Sequence, residues 1–108
     1  MRYAYRDLGD QPAGSTVVVR WTGSDATVLL VDPVNFSKYR FQDGRPFSYD
    51  GGGRYRRPPA RLSIPEDGRW YVVVDRGHYS GRPPTVEVFP PDDTEPDTEE
   101  QPLEVAQG

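Results

Sequence analysis

Basic and aromatic side chains interleave in one part of this chain more densely than anywhere else. Lys38, Arg40, Arg45, Arg54, Arg56, Arg57 and Arg61 alternate with Tyr39, Phe41, Phe47, Tyr49 and Tyr55. Guanidinium groups pair with phosphates and carboxylates, and they stack on flat π-surfaces. A region of this composition can therefore grip a nucleotide, a single-stranded nucleic acid or an acidic protein surface. The plainer use is structural, with the rings filling one end of the fold and the arginines solvating its loops. A third use is internal, with the arginines docking the acidic tail of the same chain.

Other residues with chemical potential are sparser. Gly51-Gly52-Gly53 would let a backbone approach a phosphate. However, no parallel strand precedes it, no helix follows it, and no Gly-Lys-Ser/Thr is present. A hairpin tip needing positive φ accounts for it better. Asp32, Asp50 and Asp75 fall at strand ends, where paired carboxylates could hold Ca²⁺ or act as acid and base. The alternating Asp/Asn loop with a distal Glu that Ca²⁺ needs is missing, and such an aspartate more often caps a turn. His78 is the only histidine and lies in Arg76-Gly77-His78-Tyr79-Ser80-Gly81. A nucleophilic site needs a base and an orienting group held beside it, whereas this glycine-flanked stretch reads as an exposed loop. A hydrolase built on Asp75 and His78 is accordingly the weakest reading.

Strands must position these groups. No window carries helical three-to-four spacing, and Gly or Pro interrupts almost every candidate. The strongest strand is Gly68-Arg69-Trp70-Tyr71-Val72-Val73-Val74-Asp75. Alternation puts Trp70, Val72 and Val74 on an apolar face, and Arg69, Tyr71, Val73 and Asp75 on a mixed one. It reads as the central strand, with its mixed face partly covered or binding.

Further strands are predicted over residues 3–8, 16–22, 26–32, 61–64 and 85–89, with a short one near 46–49. Tyr3 and Tyr5 share a face, and Val17, Val19, Trp21, Leu62, Ile64, Val86 and Val88 point inward. Residues 26–32 are apolar on both faces, which predicts cover on both sides. Asp32-Pro33 stops that strand, and residues 34–39 have room for a single helical turn. Pro65-Glu66-Asp67-Gly68 reads as a hairpin turn between residues 61–64 and the Trp70 strand. About seven or eight short strands in about 90 residues predict one all-β domain, a β-sandwich, jelly-roll-like or a partly open barrel.

Charge divides the chain of 108 residues in two. Residues 91–108 hold seven of the seventeen acidic residues and none of the thirteen basic ones. Residues 1–90 therefore carry ten acids against thirteen bases, a net +3. We expect a sandwich domain over 1–90 and a disordered, Pro-rich acidic tail over 91–108, too polar to bury a core. The chain has no cysteine, which excludes disulfides and thiolate metal sites and favours the cytoplasm. Residues 1–7 lack an apolar signal core, and no run approaches the about 20 apolar residues that span a bilayer.

The order of these segments resembles one known family. Tyr-x-x-x-Asp-Leu-Gly near the start is followed by a Gly and a Val-x-Val strand, then by Ala26-Thr27-Val28-x-Leu30-x-Asp32 and Asn35-Phe36-Ser37-x-Tyr39-Arg40. Tyr49-x-Gly51-Gly52, a proline-strand-Pro65 segment and Gly68-x-Trp70-Tyr71-Val72-Val73-Val74-Asp75-x-Gly77 complete it. In this the chain is similar to the bacterial DUF1883 family, from about Tyr3 to Phe89. The resemblance implies a compact, mostly β domain of unknown activity, found alone or beside signalling domains such as TIR domains. It brings no catalytic residues. The extra glycine-arginine length at residues 51–57 and the acidic tail depart from the pattern.

We therefore expect a non-enzymatic binding or interaction module of the bacterial cytoplasm, needing no cofactor or metal and touching no membrane. The expected partner is a protein, with a TIR-type signalling protein implied by the resemblance. Nucleotide or single-stranded nucleic-acid recognition is the alternative. The expected ligand-binding residues are Asn35, Lys38, Tyr39, Arg40, Tyr49, Arg54, Tyr55, Arg56, Arg57 and His78.

Overall fold

Strand-forming alternation is realised as two antiparallel sheets packed face to face. The computed structural model describes residues 2–22, 25–41, 48–75, 83–91 and 100–107. In chain order the elements are β1 (Arg2–Gln11), β2 (Thr16–Arg20), β3 (Ala26–Val31), α1 (Pro33–Phe41), β4 (Gly51–Tyr55) and β5 (Ala60–Ser63). They continue with β6 (Gly68–Asp75), β7 (Thr85–Phe89), β8 (Gln101–Pro102) and β9 (Glu104–Gln107). The five-stranded sheet runs β4-β3-β6-β1-β9, and the four-stranded sheet runs β5-β2-β7-β8. Neither closes into a barrel, so the fold is an all-β sandwich, as its sequence implies.

The core between the sheets follows directly from period two. Trp70, Val72 and Val74 of β6 meet Val17, Val19, Leu62, Val86 and Val88 of the opposing sheet, all buried. β6 occupies the centre of its sheet, between β3 and β1. β3 is covered on both faces as expected, with Val28 and Leu30 inward and Leu29 and Val31 in a second cluster on the outer face.

That second cluster exists because of a helix longer than the sequence suggests. α1 runs for nine residues, not a single turn. The Asp32 carboxylate accepts from the Asn35 amide at 2.7 Å and so caps the helix start, where Pro33 has no N–H to satisfy. Among the helix residues whose burial is described, only Phe36 and Tyr39 are buried, too few to mark a helical face in the sequence. They suffice to cover Tyr3, Leu29, Val31 and Val73.

Other expectations differ from the structure. The turn at residues 65–67 does not close a hairpin, because β5 pairs with β2 while β6 pairs with β1 and β3 in the other sheet. The chain crosses the sandwich there, and Ile64 and Trp70 on either side of the crossing are both buried in the shared core. Trp70 Nε1 donates to the Glu66 carbonyl at 3.0 Å and anchors the crossing. Gly51-Gly52-Gly53 is not a hairpin tip but edge strand β4, paired with β3. A Cβ on Gly52 (φ +106°) would stand 1.9 Å from the Val28 carbonyl oxygen, so glycine is required by close backbone approach. The strand expected near residues 46–49 falls partly outside the described residues, and Ser48 and Tyr49 are not strand.

The end of the tail departs from what its composition implies. Residues 100–107 are ordered as β8 and β9, one strand on each sheet. Composition argued against this, but edge strands are held by backbone groups that any non-proline residue carries. Leu103, between the two strands, is 3% exposed and completes the inner core.

Candidate functional site

The outer face of the five-stranded sheet carries the densest set of directional groups. Register places Tyr5 and Asp7 of β1 beside Val73 and Tyr71 of β6, with Glu104 of β9 opposite Tyr5. A bulge between Asp7 and Gly9 (φ +70°) then brings Asp10 opposite Arg69. Gly9 also donates its amide to the Asp7 carboxylate at 2.9 Å.

Phe36 of α1 stacks on Tyr71, with ring centroids 4.2 Å apart and planes 7° from parallel. Its other neighbour is Tyr5, at 5.2 Å. Arg69 lies over Tyr71 at 5.7 Å and Arg40 over Tyr5 at 5.4 Å. The result is a continuous ladder: Arg69, Tyr71, Phe36, Tyr5, Arg40. Tyr3 and Tyr39 extend it inward by an edge-on contact at 5.1 Å, beneath the helix.

Charges fasten both ends. Arg69 grips both oxygens of Asp7, through Nε at 3.2 Å and through Nη2. This hydrogen bonding holds the Asp7 carboxyl below its usual range and pushes the Arg69 guanidinium up. Tyr5 donates its hydroxyl to Glu104 Oε2 at 2.8 Å. That bond, then burial, raises the Tyr5 phenol above its usual value. Asp7 is lowered while Arg69 and Tyr5 are raised, so all three titrate further from pH 7 than usual, the opposite of what proton transfer at neutral pH requires.

The expected site residues divide among several places. Arg40 joins the ladder, and Lys38 lies half-buried on the same helix. Tyr39 is buried under the helix. Asn35 bonds to Asp32 at 3.1 Å and accepts from the Ser48 amide at 2.8 Å, which ties the helix start to the segment before β4. Tyr49 is 51% exposed next to that segment. Arg54 pairs with Asp25 at the β4 edge, while Tyr55 faces inward toward Trp21, ring centroids 6.4 Å apart. Arg56 and Arg57 are exposed beyond β4. His78 lies outside the described residues, as do Arg45 and Phe47.

Tyr5, Asp7, Phe36, Arg69, Tyr71 and Glu104 were not among the expected site residues. The alternations Tyr3-x-Tyr5-x-Asp7 and Arg69-x-Tyr71 put each set on one face, but only pairing of β1 with β6 joins them. Among the described residues no three of His, Cys, Asp and Glu stand together in a way that could hold a metal ion. A second concave feature, of about 340 Å³, lies at the end of the four-stranded sheet between Arg20, Trp21, Thr85 and Pro102. Among the described residues no helix is long and apolar enough to cross a membrane.

Two antiparallel sheets enclosing one aliphatic core, with a helix laid on the outside of the larger, define the class as an all-β sandwich. Residues 1–91 match the family described as "Domain of unknown function (DUF1883)", and the chain belongs to it. No curated protein and no solved structure matches the chain. The family match ends at residue 91, before β8 and β9.

Proposed function

We propose that this chain is a non-enzymatic binding module of the bacterial cytoplasm, and that it meets a protein partner through the outer face beside α1. The observation that carries this reading is the arginine-aromatic ladder. Arginine and tyrosine are the residues that most often dominate protein interfaces, because they combine apolar area with directional bonds. Here they are held rigidly by stacking and ion pairing, so little ordering cost remains for a partner to meet. Lys38 lies half-buried on α1 and Tyr49 is exposed before β4, both within the expected basic-aromatic region.

Nucleotide or single-stranded nucleic-acid recognition is the second reading, favoured by the same alternation of rings and arginines. It has weaker support. Tyr71 is covered by Phe36 on one side and Arg69 on the other, so neither ring face is free to stack a base. Asp7 and Asp25 also neutralise Arg69 and Arg54.

A photo-crosslinking residue placed at Lys38 in cells, with one at exposed Arg61 as control, tests the reading. A discrete protein adduct from position 38, lost on Arg40→Glu with Arg69→Glu, is the expected result. No adduct, or an identical one from position 61, overturns it. A labelled thymidine oligonucleotide bound with affinity falling steeply between about 50 and 200 mM salt would transfer the function to nucleic acid.

A further inference from the structure

The last strands occupy a place that the family-matched part of the chain leaves open. Without residues 100–107, β1 would be the edge of the larger sheet and β7 the edge of the smaller one. Only Leu103 separates β8 from β9, so one short segment bridges both edges, with Leu103 buried in the core between the sheets. β8 pairs through Gln101 and Pro102 with Val86 and Thr85. β9 pairs along Arg2–Tyr5 through Gln107, Ala106, Val105 and Glu104.

Every contact of this segment is of the kind a peptide makes with a receptor. The Leu103 amide donates to the Pro84 carbonyl at 2.8 Å while its side chain enters the inner core. Arg6 Nη1 donates to the Pro102 carbonyl at 3.1 Å, and the Tyr5 hydroxyl binds the Glu104 carboxylate. Main-chain pairing gives affinity, one buried leucine anchors the register, and one carboxylate is read by a phenol. Eight residues separate this segment from the end of the family match.

We propose that the side of the sandwich between β1 and β7 is a peptide-binding cleft for an extended acidic segment of a partner protein, of pattern Pro-Leu-acidic-aliphatic. In this chain residues 100–107 are its resident occupant. The inference shares Tyr5 with the outer-face reading but does not need it, because the two sheet edges and the buried Leu103 carry it. Attachment gives the resident segment an effective concentration on the order of millimolar, so a partner peptide must compete with it. The resident segment thus sets a threshold that only a strongly matching or locally concentrated partner passes.

The test uses full-length chains and a fluorescent peptide of residues 100–107 as probe. Leu103→Asp in the chain weakens the resident segment but leaves the cleft and the probe intact. Glu104→Ala does so more mildly, without disturbing the core. Probe affinity should rise in the order wild type, Glu104→Ala, Leu103→Asp, by at least tenfold from first to last. A probe carrying the Leu103→Asp change should not bind. Equal probe affinity for wild type and Glu104→Ala, with Leu103→Asp either unfolded or no tighter, overturns the proposal. So does a concentration-dependent dimer of the wild type that Leu103→Asp abolishes, since the occupant would then be a second copy of this chain.

Discussion

Two apolar clusters lie on opposite faces of the same five-stranded sheet, and they are made of different materials. The inner one is almost wholly aliphatic, with Trp21 and Trp70 the only rings among its buried members, and none of these carries a titratable group. Sheets close it on both sides, and period-two alternation supplies every strand's share. The outer one sets Tyr3, Phe36 and Tyr39 against Leu29, Val31 and Val73, with Tyr5 and Tyr71 at its margin, under one short helix. Charged groups rim it. A closed aliphatic layer resists any vacancy but offers a partner nothing directional. A half-covered aromatic layer contributes less to stability and leaves phenols, guanidiniums and carboxylates facing solvent. On the proposed reading, stability and recognition fall on opposite faces of β6.

The contrast can be broken most forcefully from the inner side. Trp70→Ala should lower global stability by about 4 kcal/mol, from the emptied volume and the lost bond to Glu66. A urea midpoint within experimental error of the wild type would mean that the inner layer does not dominate. Phe36→Ala attacks the outer side and should cost about 2–3 kcal/mol, less than a closed core would lose, because α1 can open locally. Amide exchange should quicken in α1 and stay protected in β2. Equal quickening in both would erase the distinction between the layers.

The smallest effect is the most specific, because Asp7 and Tyr5, whose titration the fold shifts, both lie on the outer face. The Asp7 carboxyl is lowered in the folded chain, so its stabilisation is present above the unfolded pKa of about 4 and is lost as pH falls through the folded value. Tyr5 is raised, so its stabilisation is present below the unfolded pKa of about 10 and is lost as pH rises through the folded value. Asp7→Asn should flatten only the acid limb of a stability profile, and Tyr5→Phe only the alkaline limb. Profiles parallel to the wild type at both ends would show that these contacts contribute nothing to folding.

Much of the scaffold is legible before folding. The inward sets on β2, β5, β6 and β7, the central place of β6 and the double cover of β3 all follow from which residues alternate. The candidate site is less so. Arg40 and Lys38 stand where a basic-aromatic surface was sought, but Tyr39 and Tyr55 are packed, and Asn35 braces the chain. Arg69 and Tyr71 share the mixed face of β6 in the sequence itself, but that Tyr5 and Asp7 join them depends on pairing with a strand more than sixty residues away.

The physical reason is that side-chain period determines the face of a strand and says nothing about its neighbour. Alternation by itself determined an all-β chain with tryptophans inward. Only the tertiary structure decided that residues 65–67 cross between sheets, since a turn signal is the same for a hairpin and a crossover. Only it extended α1 to nine residues, because the helix draws its stability from the rings beneath it rather than from its own pattern. The acidic tail is the sharpest case. Its composition argues for solvent, yet unpaired backbone on two sheet edges and a gap the size of one leucine decide otherwise.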